Sequence, residues 1–282
     1  MILFRKKTDF QTYLTTQKQR GKKIGFVPTM GALHQGHVSL IESSRKDNSI
    51  TVSSIFVNPT QFNDPNDFKK YPVTIENDIN KLEAAGCEVL FMPSVEEIYP
   101  DGVPSDLKYD LGYLETILEG KYRPGHFQGV CMVVHRLLDI VKPDNLYLGQ
   151  KDYQQCMVIR RLIELTGHTE IKLNICPTFR EPDGLAMSSR NLRLNEEERK
   201  TAPAIYRALL HIKENLPKGD LLSLKESAVK KLIDNRLKPD YIEIADADTL
   251  KPISKWNAGQ KLVALAAAYL GEVRLIDNLV LN

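Results

Sequence analysis

The chain has 282 residues, 42% of them hydrophobic and 26% charged, the composition of a soluble globular protein with room for one large or two ordinary domains. Its net charge of +2 is too small to argue for nucleic acid or an anionic membrane as a partner. Apolar runs such as 262–270 are far shorter than the roughly 20 residues a membrane helix needs. The first residues hold no signal-peptide apolar stretch. Cys87, Cys131, Cys156 and Cys176 form no C-x-x-C pair, so they read as buried thiols in a reducing cytoplasm.

Residues 23–27 read as a strand, and 37–46 as a helix. Between them lies Pro-Thr-Met-Gly-Ala-Leu-His-Gln-Gly-His, residues 28–37. A helix N-terminus presents unpaired N–H groups and partial positive charge, so it attracts phosphate. His34 and His37 add donors there, and Gly31 and Gly36 allow a close approach. A second strand is expected over 50–57, running into Phe-Val-Asn-Pro-Thr-Gln-Phe at 56–62. The spacing of Ile75, Ile79, Leu82 and Ala85 predicts a helix over 74–85, and 88–92 predicts a strand closed by Pro93.

The loop 121–127 contains Arg123, an anion-binding or simply solvated charge, and a wide apolar stripe predicts a helix over 127–141. A short strand at 146–148 leads into Gly149-Gln150-Lys151-Asp152, with Asp152 as a cap for a helix over 152–166. A further strand is expected at 171–176. Alternating β and α segments imply a parallel sheet with helices on both faces, which the resemblance described below makes Rossmann-like, binding ligands at the carboxyl ends of its strands.

After about residue 180 the pattern changes. Asn195 and Glu198 form a capping-box pattern, and a helix follows over 221–236. Runs at 241–245, 261–270 and 273–279 read as strands, the last two joined by Gly271-Glu272 and therefore antiparallel. The expectation is a catalytic domain over 1–178 and a smaller α+β lid domain over 179–282. Met187-Ser188-Ser189-Arg190 lies just after that boundary, and its hydroxyls and guanidinium suit triphosphate oxygens. Taken singly, each loop motif is also an ordinary solvated turn. It is their combination and order that carry information.

Taken together, residues 28–37, 56–62, 151–155 and 184–191 resemble the pantothenate synthetase (pantoate–β-alanine ligase) family, of the HxGH nucleotidyltransferase superfamily. The resemblance implies that pantoate, β-alanine and ATP give pantothenate, AMP and pyrophosphate through a pantoyl adenylate. It further implies Mg²⁺, a homodimer and a cytoplasmic enzyme, with no role for nucleic acid or membrane. By resemblance, Met30, Gly31, Ala32, Leu33, His34, Gln35, Gly36 and His37 line ATP. Gly149, Gln150, Lys151, Asp152, Phe179, Met187, Ser188, Ser189 and Arg190 do the same. His34, His37, Lys151 and Arg190 are the catalytic set. Gln61 and Gln155 match pantoate-binding glutamines, with Asn58 and Arg123 as further substrate contacts. Gln150, Gln128 and Asn77 depart from the residues many relatives carry, and Asn77 puts a direct protein ligand to magnesium in doubt. Two readings compete, and a class I aminoacyl-tRNA synthetase is a weaker third, because the chain is short, lacks a KMSKS lysine and shows no basic face for tRNA. One is a nicotinate- or pantetheine-phosphate adenylyltransferase, which would share the histidine motif but form no amide. The other is a nucleotide-binding regulator without turnover.

Overall fold

The structure, a computed structural model, describes residues 1–62, 65–104, 106–216, 220–257 and 259–282. The chain forms two compact units. The first comprises 1–149 with 155–177, the second 150–154 with 178–282. The division is not a single cut, because the segment that follows the fifth strand groups with the C-terminal residues.

The first unit is a six-stranded sheet of β1 (Ile2–Phe4), β2 (Ile24–Thr29), β3 (Ile50–Ile55), β4 (Val89–Phe91), β5 (Asn145–Gly149) and β6 (Lys172–Cys176). All pairings are parallel and the order is β1-β4-β3-β2-β5-β6. Strand β3 is buried along its whole length and β2 along nearly all of it, as in a parallel sheet covered on both faces, and β3 buries Thr51, Ser53 and Ser54 together with its apolar residues. The helices are α1 (Lys7–Gln19), α2 (Gln35–Asp47), α3 (Pro65–Lys69), α4 (Ile75–Ala84), α5 (Val95–Ile98), α6 (Leu118–Tyr122), α7 (His126–Val141) and α8 (Tyr153–Leu165). Helices α1, α7 and α8 join one apolar cluster, with Phe10, Leu137 and Leu162 among its members. Helices α2 and α4 join the other, through Leu40, Ile41 and Leu82. The doubly wound sheet expected from the β/α alternation is therefore present.

The second unit holds α9 (Glu196–Thr201), α10 (Ala204–Asn215) and α11 (Leu221–Asp234). Its antiparallel sheet is β7 (Lys238–Asp246), β8 (Leu262–Leu270) and β9 (Val273–Val280), in that order. Asn195 caps α9 as expected, with Glu198 completing the reciprocal capping box.

Three differences from the sequence reading have physical causes. Helix α1 buries only Phe10 and Leu14, too thin a stripe to stand out, although Phe10 stacks on Phe91 at 4.4 Å. Strand β7 starts earlier than the apolar run, because Pro239 sits near its beginning on an edge strand beside a bulge. Asp152 lies in a short 3₁₀ turn, Gln150–Asp152, and α8 begins only at Tyr153. The cysteines match a buried-thiol reading at Cys87 and Cys131, whose thiols burial pushes up to about 12. Cys176 is only half-buried.

Candidate active site

In the first unit, the strand order reverses between β2 and β5. Strands β3, β4 and β1 lie to one side of β2, and β5 and β6 to the other. The crevice at the carboxyl ends of such neighbours is the usual ligand site of an open α/β sheet. Residues 30–37 leave β2 at that point, and Gly149 closes β5 beside it.

The turn after β2 is left-handed at two successive residues, Gly31 (φ 83°) and Ala32 (φ 48°). A side chain on Gly31 would also lie 3.2 Å from Asp78 Oδ2, so glycine is required both by conformation and by space. The turn is held by Asp78, a buried residue of α4. Its Oδ2 accepts from the Ala32 N–H at 2.8 Å and its Oδ1 from the Leu33 N–H at 2.7 Å. Thr74 Oγ1 donates to the same carboxylate at 3.1 Å, and Lys81 Nζ donates to the Leu33 carbonyl. Thr29 Oγ1 accepts from the Gly31 N–H at 3.2 Å.

His34 is the N-cap of α2, its Nδ1 accepting from the Gly36 N–H at 3.1 Å. His37 Nδ1 accepts from the His34 N–H at 3.2 Å. An Nδ1 that accepts a backbone N–H carries a lone pair, so each neutral ring holds its proton at Nε2. The rings lie 4.1 Å apart between centroids. The helix start thus carries two Nε2–H donors together with its own dipole.

Asn58, at the end of the run after β3, is fully buried. Its Nδ2 donates to the Gly129 carbonyl at 3.1 Å and to Gln61 Oε1 at 3.2 Å. Its Oδ1 accepts from Thr60 Oγ1 and Tyr99 Oη, each at 3.1 Å. Burial raises the Tyr99 phenol above its ordinary value, which keeps it a donor. These bonds fix the Asn58 amide beside Gln61, the residue it is grouped with as an expected substrate contact. Gln61 Nε2 in turn lies 2.9 Å from Met30 Sδ. His126 Nδ1 is 2.8 Å from the Gln61 carbonyl, and Arg123 Nη1 is 3.0 Å from His126 Nε2. So Met30, Asn58, Gln61 and Arg123 form one connected group. Gln155 stands half-buried in the first turn of α8. Gln128 bonds both backbone groups of Tyr109, each at 2.9 Å, and so braces a loop.

Within the second unit, the turn carrying Gln150, Lys151 and Asp152 is tied to β9. Asn278 Nδ2 donates to the carbonyls of Gln150 and Lys151 at 2.9 and 2.8 Å. Residues 179–190 are tied to the same strand through Arg180. Its guanidinium makes a fork with Asp277 at 2.7 and 3.0 Å, donates to the Gly184 carbonyl at 3.0 Å, and lies 3.9 Å over the Tyr206 ring. Burial pushes the Asp277 carboxyl above the ordinary carboxylate range, and the Arg180 hydrogen bonds and charge oppose that push. Phe179 accepts from the Met187 N–H at 3.0 Å through its carbonyl. Ser188 caps the short turn Ser189–Arg193, its Oγ accepting from the Arg190 N–H at 3.3 Å.

Motif reading misses Gly129, Arg180, Tyr206, Asp277 and Asn278, and it meets Asp78 only beside Asn77 in the question of a magnesium ligand, not as the support of the turn after β2. Two signals point toward them: an acid on the apolar face of α4 beside Leu82, and an Asp-Asn pair interrupting an apolar strand.

The family model for pantoate-beta-alanine ligase matches residues 2–280. The pantothenate synthetase of Cytophaga hutchinsonii is 45% identical over 273 residues, covering 95% of each chain. That of Fervidobacterium nodosum is 48% identical over 265 residues, covering 93% of each. Among solved structures, the pantothenate synthetase of Thermus thermophilus gives a TM-score of 0.91 at 41% identity, with 99% of each chain covered. The pantoate-beta-alanine ligase of Francisella tularensis, solved with beta-gamma ATP and beta-alanine, gives 0.83 at 41% identity, with 99% of this chain and 97% of that one covered. Motif, fold and relatives agree, and the chain belongs to the pantoate–β-alanine ligase family.

Proposed function

We propose that the chain joins the carboxylate of pantoate to the amine of β-alanine, with ATP giving AMP and pyrophosphate. The observation that carries this reading is the pair of Nε2–H donors on His34 and His37 at the start of α2, beside the point where the strand order reverses.

A carboxylate has no leaving group fit for amide formation, and adenylation provides one. The pantoate carboxylate attacks the α-phosphorus, and the bond to the bridging oxygen breaks as pyrophosphate departs. The β-alanine amine then attacks the acyl carbon, loses a proton and expels AMP. Negative charge grows on the phosphoryl oxygens in the first step, and fixed donors stabilise it at about 3–4 kcal/mol each when removed singly. His34 and His37 serve this role in the first unit, with Met30 to Gly36 shaping the nucleotide site. Lys151 and Arg190 are assigned to the triphosphate from the second unit, with Gln150, Asp152, Met187, Ser188 and Ser189 as ATP contacts and Phe179 toward adenine. Gly149 belongs to the ATP set at the end of β5. Gln61 and Gln155 are assigned to pantoate: neutral amides orient it without an ion pair that would blunt the nucleophile. Arg123 supports Gln61 through His126.

Mg²⁺ would shield the triphosphate. Both Asp78 oxygens already accept backbone N–H bonds, which favours a metal held by phosphates and water rather than by this carboxylate. We further propose a cytoplasmic homodimer.

With ATP, Mg²⁺ and pantoate but no β-alanine, the chain should exchange labelled pyrophosphate into ATP, and free AMP should accumulate only when β-alanine is added. Exchange that strictly required β-alanine would overturn the adenylate step. An adenylylated product without AMP would instead favour the adenylyltransferase reading.

A further inference from the structure

Among the described residues, one cluster of side chains of metal-ligand type lies in the first unit, outside the residues assigned to substrate. His135 and Asp139 are one helical turn apart on α7, and His168 lies in the turn after α8. Their ligand atoms all lie within 4.8 Å of one another. His135 Nε2 is 3.7 Å from Asp139 Oδ2, and His168 Nε2 is 3.1 Å from Asp139 Oδ1. Both imidazoles therefore direct the same nitrogen at one carboxylate.

One imidazole has the outer contact a metal site uses, and the other has a carboxylate nearby. His135 Nδ1 lies 2.9 Å from Tyr109 Oη. When that nitrogen donates to the phenol oxygen, Nε2 carries the lone pair a cation needs. Metal-bound histidines usually have such a partner on the other nitrogen, fixing tautomer and ring orientation. His168 Nδ1 has Glu170 Oε1 at 3.8 Å in the corresponding place. The supports are themselves fixed. Gln128 holds both backbone groups of Tyr109, and it stands two turns before His135 on α7. His168 is anchored at both backbone groups, its N–H donating to the Ile163 carbonyl and its carbonyl accepting from the Ile171 N–H, each at 3.0 Å. Asp139 is about half exposed, which leaves room for water at a fourth position. A cation there would meet the carboxylates of Asp139 and Glu170 against the positive charge of Arg136 next in sequence.

We propose that His135, Asp139 and His168 bind a divalent transition metal, with Zn²⁺ the best match. Two imidazoles and one carboxylate suit zinc rather than magnesium, and three protein ligands plus water complete a tetrahedron. The site ties α7 to the turn between α8 and β6. Helix α7 starts next to Gln61 and runs away from it, so His135 lies nine residues along, about 13 Å of helical rise from His126. The metal would therefore act where it ties α7 to that turn, apart from the residues assigned to substrate.

The test uses the full chain, stripped with EDTA and titrated with Zn²⁺ alone in calorimetry and equilibrium dialysis. One Zn²⁺ per chain should bind at this site. His135→Ala and His168→Ala should each weaken it at least tenfold, and Tyr109→Phe by roughly tenfold through the lost outer contact. His37→Ala should leave it unchanged, which separates it from any zinc held by the His34–His37 pair. Zn²⁺ should raise the Tm of the wild type but not of the double variant His135→Ala/His168→Ala. With EDTA present, that variant and the wild type should melt together, showing that the variant folds. Failure of the wild type to bind micromolar Zn²⁺, or retention of the site by the double variant, would overturn the proposal.

Discussion

The turn after β2 and the segment 179–190 solve the same problem by different means. Each is irregular backbone assigned to phosphate, and each is held by a buried carboxylate from far along the chain. In the first unit, Asp78 bonds the turn directly, taking the N–H groups of Ala32 and Leu33. In the second unit, Asp277 does not touch the loop backbone through any of these bonds. It fixes Arg180, and Arg180 reaches the Gly184 carbonyl while lying on Tyr206. A turn that must present N–H groups in a left-handed path needs an acceptor, and one carboxylate suffices. A loop that must present carbonyls to its support needs a donor, and a buried donor cation needs its own counter-charge. The second arrangement should therefore be the more fragile one.

The largest expected effect follows. Arg180→Met should lower unfolding free energy by about 3–5 kcal/mol, because it strands Asp277 in the interior. The double variant Arg180→Met/Asp277→Leu should recover much of that loss. The sign with pH is also fixed. In the single variant the folded state retains a proton on Asp277 that the unfolded chain releases, so stability falls as pH rises above the ordinary Asp range. Urea denaturation at about pH 5 and about pH 8 would check both points. A single variant within 1 kcal/mol of wild type would mean that the fork is not the support.

Asp78→Ala comes next. Two N–H groups, that of left-handed Ala32 and that of Leu33, lose a charged acceptor, at about 1.5–3 kcal/mol each. The expected loss is about 3 kcal/mol or more, with kcat/KM for ATP falling at least 100-fold as the turn relaxes. Asp78→Asn keeps one acceptor and should fall between. Steady-state kinetics with intact ATP use in the alanine variant would break the comparison at its stronger half.

The sequence made the outward faces of these regions readable and hid their supports. His34-x-Gly-His37 stands out because glycine and histidine are unusual at a helix start, and the β/α alternation follows directly from apolar periodicity. The bonds from Asp78 and Asp277 span 46 and 97 positions to Ala32 and Arg180, and no local pattern records such a pairing. The same holds for Gly129, which sits inside a helix without any visible reason. There a Cβ would meet the Thr60 carbonyl oxygen at 2.2 Å. Asn58 is readable as a candidate contact because it follows a strand, but its anchors, the Gly129 carbonyl and Tyr99 Oη, lie 71 and 41 positions away and leave no local trace.

Gly129 provides the third test. Gly129→Ala should cost about 1–3 kcal/mol from overpacking against backbone. By displacing the turn that holds Gln61, it should weaken pantoate binding more than ATP binding. Calorimetry with each ligand decides, and equal losses would remove the link between Gly129 and the acid site.

The smallest expected change in stability separates structure from chemistry in the motif itself. His34 caps α2 through Nδ1, as Ser188 caps its own short turn through Oγ. His34→Ala should cost about 1 kcal/mol, the usual value of a lost N-cap. Asparagine is among the best N-caps, so His34→Asn should restore nearly all of that stability. It should not restore adenylation, because the cap uses the side-chain oxygen and the ring's Nε2–H donor is gone. Both variants should lose roughly 10²–10³-fold in single-turnover adenylation. Were His34→Asn to regain activity along with stability, His34 would be a cap alone, and the phosphate chemistry of the first unit would rest on His37.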